Sequence, residues 1–262
     1  MTGAGRYASE LWVCHLGTIP YREGLAMQEA IAARRRAREL PDTLLLLEHP
    51  PVFTRGRRSL PGELTLGEDF YRARGIEVVS TDRGGRVTYH GPGQLVGYPL
   101  MGVTDVVAHL RTIEDAIVAA LAEEGVAARS RPQDGPDYTG VWVASRKIAS
   151  LGVHVSRGVS THGFAVNVAT DLEPFRWVVA CGLPDVEMTS VAAELELDQP
   201  EVLDGKLPEV GAQQASTDRF RERVARCFCE AHGRWIRTVE PRELGIGGLG
   251  IDPARAAALV PA

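Results

Sequence analysis

Long apolar runs are the first thing this sequence lacks. Its longest run of Leu, Ile and Val, Leu44 to Leu47, is far too short to cross a bilayer. Met1 to Ser9 hold no apolar segment of the kind a signal peptide needs, so a cytoplasmic protein is expected, with no membrane attachment. Positive charge is not in excess either. Lys and Arg number 29 against 34 Asp and Glu, giving 29 − 34 = −5, and sequence-independent nucleic-acid binding needs a basic surface. Nucleic acid is therefore not an expected partner. Cysteine is scarce: Cys14, Cys181, Cys227 and Cys229 are the only four. They show no metal-ligand spacing, and on a helix Cys227 and Cys229 would sit about 200° apart. No metal is expected. A reducing cytosol keeps such cysteines as thiols, which leaves one of them available for chemistry. There are no internal repeats.

What is present suits one folded unit. With 262 residues, 44% hydrophobic and 24% charged, the chain can bury a single large core. Leu11 to Leu16 reads as a strand and Tyr21 to Glu39 as a helix ending in Arg34, Arg35, Arg36 and Arg38, which complement the negative end of its dipole on a solvated face. Leu44 to Glu48 is a short buried strand. After it, His49-Pro50-Pro51-Val52-Phe53-Thr54-Arg55-Gly56-Arg57 cannot be helix and is expected as an ordered loop or edge. Ile76 to Ser80 and Gln94 to Leu100 read as strands. Asp105 to Glu124 repeats Val106, Leu110, Ile113, Ile117 and Leu121 at helical spacing, with Thr104 as expected N-cap and Gly125 beyond the end. Three further strands, Gly140 to Ala144, Lys147 to Val155 and Val159 to Val168, are joined by short turns and are expected to form a meander. Thr217 to His232 is an amphipathic helix with Phe220, Val224, Cys227 and Phe228 inward. The organisation expected is a flexible stretch at 1–10, one domain over 11–239 with a mobile connection at 195–215, and a flexible tail at 240–262.

One stretch is too unusual to be scaffold. Arg83-Gly84-Gly85-Arg86-Val87-Thr88-Tyr89-His90-Gly91-Pro92-Gly93-Gln94 places four glycines, a proline, two arginines and a histidine in twelve residues. Glycines let backbone approach a ligand, and the polar strand between the turns reads as the wall of a binding site, inside a sheet and not at its margin. A second cluster runs through Lys147, Ser150-Leu151-Gly152, His162-Gly163-Phe164, Asn167 and Cys181-Gly182. Taken singly, a Cys before Gly is usually a buried thiol, a strand lysine usually points to solvent, and the histidines are usually structural. At Gly85 and Gly163 a close-approaching ligand is the expected reason for the missing side chain.

These motifs, in this order over about Leu11 to Val191, resemble the lipoyl(octanoyl) transferase family, and the Glu48-His49-Pro50-Pro51-Val52-Phe53-Thr54 run resembles it too. The resemblance implies an α/β (α+β type) fold like the biotin and lipoate protein ligase catalytic domain, a mostly antiparallel central sheet flanked by helices. It implies transfer of an octanoyl group from acyl carrier protein to the acceptor lysine of lipoyl domains, the first step of endogenous protein lipoylation. Acceptors would be the lipoyl domains of 2-oxoacid dehydrogenase complexes and the glycine cleavage H protein. The family's acyl-carrying cysteine matches Cys181, and the lysine that favours its thiolate matches Lys147. Its substrate-lining segments match Arg83, Gly84, Gly85, Arg86, Val87, Thr88, Tyr89 and His90, then Ser150, Leu151 and Gly152, then His162, Gly163 and Phe164. Ala180 departs from the family, which commonly has proline there.

The residue types suit that chemistry. A free thiol is only a few per cent thiolate at neutral pH, and a neighbouring ammonium raises the fraction. Thioester exchange needs no ATP, so no cofactor is expected. Two rivals have different chemistry: an ATP-dependent lipoate or biotin ligase, and a non-catalytic module that binds acyl carrier or lipoyl domains. Against the ligase, the stretch from Arg83 to His90 lacks the extra glycines and following acid typical of lipoate ligases, and a cysteine stands at 181.

Overall fold

The computed structural model describes residues 9–183, 185–197 and 210–247. In chain order the elements are β1 (Glu10–Thr18), α1 (Tyr21–Arg36), β2 (Thr43–Glu48), β3 (Val52–Arg55), α2 (Glu68–Arg72), β4 (Glu77–Ser80), β5 (Thr88–His90) and β6 (Gln94–Leu100). There follow α3 (Val106–Ala122), β7 (Arg129–Ser130), β8 (Gly140–Val143), β9 (Arg146–Ser156), β10 (Val159–Asn167), α4 (Val191–Leu197), α5 (Val210–Ala231) and β11 (Trp235–Thr238). Eight strands form one sheet in the order β11-β1-β2-β6-β10-β9-β8-β7, and three form a second, β4-β3-β5. In the large sheet β1 runs parallel to β2 and β11, and the remaining pairs are antiparallel. The consecutive antiparallel pairing of β8, β9 and β10 is the meander expected from their short turns. The fold is α+β, with helices against a mainly antiparallel sheet.

The large sheet is buried on both faces, which explains the run of leucines in β2. Successive side chains on a strand point to opposite faces. Leu44 and Leu46 accordingly pack with Ile113, Ile117 and Phe228 beneath α3 and α5, whereas Leu45 and Leu47 pack with Met27 and Ile31 of α1. In α1 the buried set Tyr21, Gly24, Met27, Gln28, Ile31 and Ala32 recurs every three or four residues, the stripe a surface helix needs. The cap of α3 is Asp105, not Thr104: its carboxylate accepts from the amides of Val107 and Ala108, a stronger acceptor at the positive end of the dipole.

Several boundaries differ from expectation for identifiable reasons. The Pro50-Pro51 pair does end a strand, but Val52 to Arg55 beyond it forms the middle strand of the small sheet, paired to both β4 and β5. The glycine-rich stretch lies at the margin of that small sheet, because among the described residues β5 has β3 as its sole ladder partner. Helices α4 and α5 cover 195–197 and 210–215 of the expected mobile connection, and 198–209 lie outside the described residues. At the other end, where a flexible tail was expected from 240, Leu244 and Ile246 are buried against the α1 side of the sheet. The Arg34 guanidinium holds this segment by donating to Leu244 O at 2.8 Å, while Arg35 pairs with Asp42 at 2.7 Å and Arg36 with Glu29 at 3.3 Å. Arg34 and Arg35 thus tie α1 to other chain segments, while Arg36 pairs within the helix. Residues 1–8 and 248–262 of the expected flexible ends lie outside the described residues. Among the described residues no helix is long and apolar enough to cross a membrane.

Candidate functional site

A β-bulge creates the first part of the site. Between β8 and β9 the register slips, with Val141 opposite Ala149 and Trp142 opposite Lys147, so Ile148 is the extra residue. In a regular strand, positions three apart face opposite ways. The bulge turns Lys147 and Ser150 to the same side, leaving Ile148 and Ala149 in the core. Lys147 is only 1% exposed, and its Nζ lies 5.2 Å from the Trp142 ring centroid, within cation–π range.

The second part is the turn at Ala180–Gly182. Cys181 adopts φ 58°, ψ 12°, a left-handed conformation that is uncommon outside glycine and concentrates at functional sites. Its amide donates to Val87 O at 2.9 Å, which fastens the turn to the strand of the glycine-rich stretch. This geometry brings Lys147 Nζ to 3.3 Å from Cys181 Sγ although 34 positions separate the residues. Ser150 Oγ is 3.8 Å from the same sulfur.

Both groups open onto a cavity of about 290 Å³, near the low end of the usual size for small-molecule sites. Of the residues expected to line a site, Arg83, Gly84, Gly85, Arg86, Thr88, His90, Ser150, Leu151, Gly152, His162, Gly163 and Phe164 do so, together with Lys147 and Cys181. Val87 and Tyr89 do not. Strand alternation sends Thr88 and His90 to the cavity and turns Val87 and Tyr89 into a separate core, where they pack with Phe53 and Phe175. The reason for Gly163 also changes: a Cβ there would collide with Gly97 O and Pro99 Cδ of β6, so its missing side chain serves strand packing. Gly85, at φ +84°, holds a turn that a β-carbon would strain. Ala180 is buried beside Val178 and Phe175, and the turn forms without proline at that position.

Buried polar groups fix the floor. Arg83 is buried and donates to Thr54 O and Thr54 Oγ1, each at 2.7 Å, and to Gly84 O at 3.0 Å. Burial lowers its pKa, opposed by the fields of Tyr21 and Cys181. His90 Nδ1 meets Gln94 Oε1 at 2.8 Å, and Gln94 Nε2 donates to Asn167 Oδ1 at 2.9 Å. Asn167 Nδ2 in turn donates to Thr189 O at 3.0 Å, and the Thr189 amide donates to Lys147 O at 2.9 Å. An amide oxygen can only accept, so Nδ1 of His90 carries its proton. His162, at φ 57°, sets Nε2 2.7 Å from Asp82 Oδ1. Neither histidine has a hydrogen bond to Cys181 among the described residues.

Three contributors were missed from the sequence: Tyr21, His49 and Tyr98. His49 Nδ1 donates to Ile19 O at 2.6 Å, which leaves Nε2 to accept from the Tyr98 hydroxyl, also at 2.6 Å. Tyr21 stacks on His90 with centroids 5.7 Å apart and lines the cavity with Arg83 and Tyr98. The proline pair after His49 marked the segment, but nothing local to residues 21, 49 and 98 shows that they meet. The cavity also takes Arg57, Arg58, Val106, Leu110 and the 136–139 turn.

The buried histidines give this protein a defined acid sensitivity. Burial lowers His49 to about 4 and His109 to about 4, lowers His90 well below its ordinary value, and lowers His162 and His232. The unfolded chain protonates its histidines near pH 6.5, so between about pH 6.5 and 4 the unfolded state binds more protons. The stability these neutral histidines contribute is whole above pH 6.5 and falls as pH drops through that window, by up to about 1.4 kcal/mol per pH unit for each histidine. Urea midpoints should therefore be level above pH 7 and decline from pH 6.5 to 4.5, less steeply in His49→Gln. A flat profile down to pH 5 would contradict the burial of these rings in neutral form.

Comparison with known proteins places this arrangement. A family model described as the lipoyl protein ligase A/B catalytic domain matches residues 20–228. Curated octanoyltransferases are similar over most of their length. That of Acidothermus cellulolyticus is 48% identical over 190 residues, covering 69% of this chain and 80% of its own. That of Solibacter usitatus is 46% identical over 219 residues, covering 81% and 90%. Among solved structures, the bipartite lipoate protein ligase of Thermoplasma acidophilum superposes with a TM-score of 0.63 at 20% identity, covering 97% of this chain and 99% of that one. A lipoate-protein ligase A bound with ATP gives 0.66 at 20% identity, covering 95% and 100%. At such identity these structures speak to the fold.

Proposed function

The chain is an acyltransferase that belongs to the lipoyl protein ligase A/B catalytic-domain family, and from that premise we infer that it carries an octanoyl group on Cys181. The group would come from octanoyl-acyl carrier protein and go to the acceptor lysine of lipoyl domains, those of 2-oxoacid dehydrogenase complexes and the glycine cleavage H protein. This is the first step of endogenous lipoylation, in the cytoplasm. The observation that carries the reading is the 3.3 Å approach of Lys147 Nζ to Cys181 Sγ at the wall of the cavity.

The chemistry follows from what those two groups can exchange. The Cys181 thiolate attacks the carrier's thioester carbon, a new C–S bond forms, and the bond to the carrier's phosphopantetheine sulfur breaks. The Lys147 ammonium gives its proton to that leaving sulfur. The acceptor amine then attacks the acyl-cysteine, neutral Lys147 takes the proton the amine sheds, and the C–S bond to Cys181 breaks to restore thiolate and ammonium. One thioester is exchanged for another before the amide forms, so neither ATP nor a metal is called for.

Intact mass spectrometry after mixing with octanoyl-acyl carrier protein tests this. Octanoyl addition without ATP, lost in Cys181→Ala, is the expected result. Acylation that requires ATP would establish the ligase reading, and no covalent change in either condition would leave a binding module.

A further inference from the structure

Resting on that reading, we propose that the Ser150 hydroxyl is the hydrogen-bond donor that holds the oxyanion of the tetrahedral intermediates. In many thiol and serine enzymes the nucleophile's own amide does this work. Here those amides are engaged. The Cys181 amide donates to Val87 O at 2.9 Å, the Gly182 amide to Val179 O at 3.3 Å and the Leu183 amide to Ala180 O at 3.0 Å. Arg83 turns its guanidinium nitrogens to Thr54 and Gly84 O. Lys147 stands closest to the sulfur, but its proton is the one delivered to the leaving sulfur.

Ser150 remains. It is half-buried in the cavity wall, placed on the same side as Lys147 by the β9 bulge. Its Oγ stands 3.8 Å from Sγ, too long for a strong bond to the sulfur itself. That separation suits an oxygen carried on the carbon that Sγ attacks, because an effective donor sits about 2.7–3.1 Å from that oxygen. When the C–S bond forms, the carbonyl π pair moves onto oxygen and Ser150 O–H donates to it. When the carbonyl reforms, the pair returns, the bond to the departing sulfur breaks, and the serine keeps its proton throughout. The same hydroxyl serves the second half-reaction, where the departing sulfur is Cys181.

Single-turnover acylation by octanoyl-acyl carrier protein, read beside iodoacetamide alkylation across pH, tests this. Alkylation uses the same thiolate but develops no oxyanion. Ser150→Ala is expected to slow acylation by about 10²-fold while its alkylation profile matches wild type, and Ser150→Thr, which keeps the hydroxyl, is expected to recover most of the loss. Acylation within about threefold of wild type in Ser150→Ala would overturn the assignment. So would an equal fall in alkylation, which would mean the serine acts on the thiolate, or a Ser150→Thr protein as slow as Ser150→Ala, which would mean it acts by packing. Wild type that fails to acylate at all would instead remove the reading on which the inference rests.

Discussion

Cys181→Ala is expected to abolish octanoyl transfer, a loss of more than about a thousandfold, while Cys14→Ala, Cys227→Ala and Cys229→Ala remain within a few fold of wild type. The difference lies in where each thiol stands. Cys181 opens onto the cavity beside Lys147. Cys14 is buried on the α1 side of the sheet, and Cys227 and Cys229 are buried on the α3 and α5 side. Burial pushes the Cys14 and Cys229 thiols up to about 12 and raises Cys227, so these three are protonated and shielded at neutral pH. Their replacement removes core volume and should lower melting temperature while leaving transfer intact. The assay is octanoyl transfer to a purified lipoyl domain, paired with intact mass of the enzyme after exposure to donor alone. Turnover retained by Cys181→Ala, or lost in one of the core variants that still melts cooperatively, would sink the acyl-cysteine assignment.

How much of this was legible in the chain depended on whether the signal was local. The meander β8-β9-β10 followed from strand runs and short turns, and α3 from its periodic apolar set. The cavity wall was visible because glycines, arginines and histidine crowd into Arg83 to His90. What that crowding could not show was direction. Strand period assigns Thr88 and His90 to one face and Val87 and Tyr89 to the other, but which face is the site depends on the partner sheet. The sequence also could not show that this strand lies at the margin of a small separate sheet, since flanking strands Glu77–Ser80 and Gln94–Leu100 belong to different sheets. Gly163 looked like a place for a ligand and is a place for β6. The Tyr21, His49 and Tyr98 assembly is tertiary throughout. So is the β9 bulge, without which Lys147 and Ser150 would face opposite ways.

Replacing Lys147 by Gln should slow acyl transfer by about 10²- to 10⁴-fold, the span that a lost general acid and base covers, and should also slow Cys181 alkylation at neutral pH. Two effects are expected because the proposed mechanism gives Lys147 two roles. In the proposed mechanism its nitrogen, 3.3 Å from sulfur, brings a positive charge of the kind that favours a thiolate, the form both reactions consume. In the same mechanism it carries protons for the leaving sulfur and the acceptor amine, which alkylation does not involve. Transfer should therefore fall further than alkylation, and the difference measures the proton-transfer role. Histidine is the usual partner of a catalytic cysteine, so His90→Gln and His162→Gln are the controls. Both rings are held neutral by burial. His90 is tied to Gln94 and His162 to Asp82. Neither is placed to supply a charge at Sγ, and both variants should alkylate across pH as wild type does. The Lys147 side chain is almost wholly enclosed, and among the described residues it has no carboxylate partner to leave stranded. Gln can occupy the site without creating an unpaired buried acid. If Lys147→Gln alkylates like wild type while a histidine variant slows, the reactive pair is Cys-His and the proton route through Lys147 is wrong.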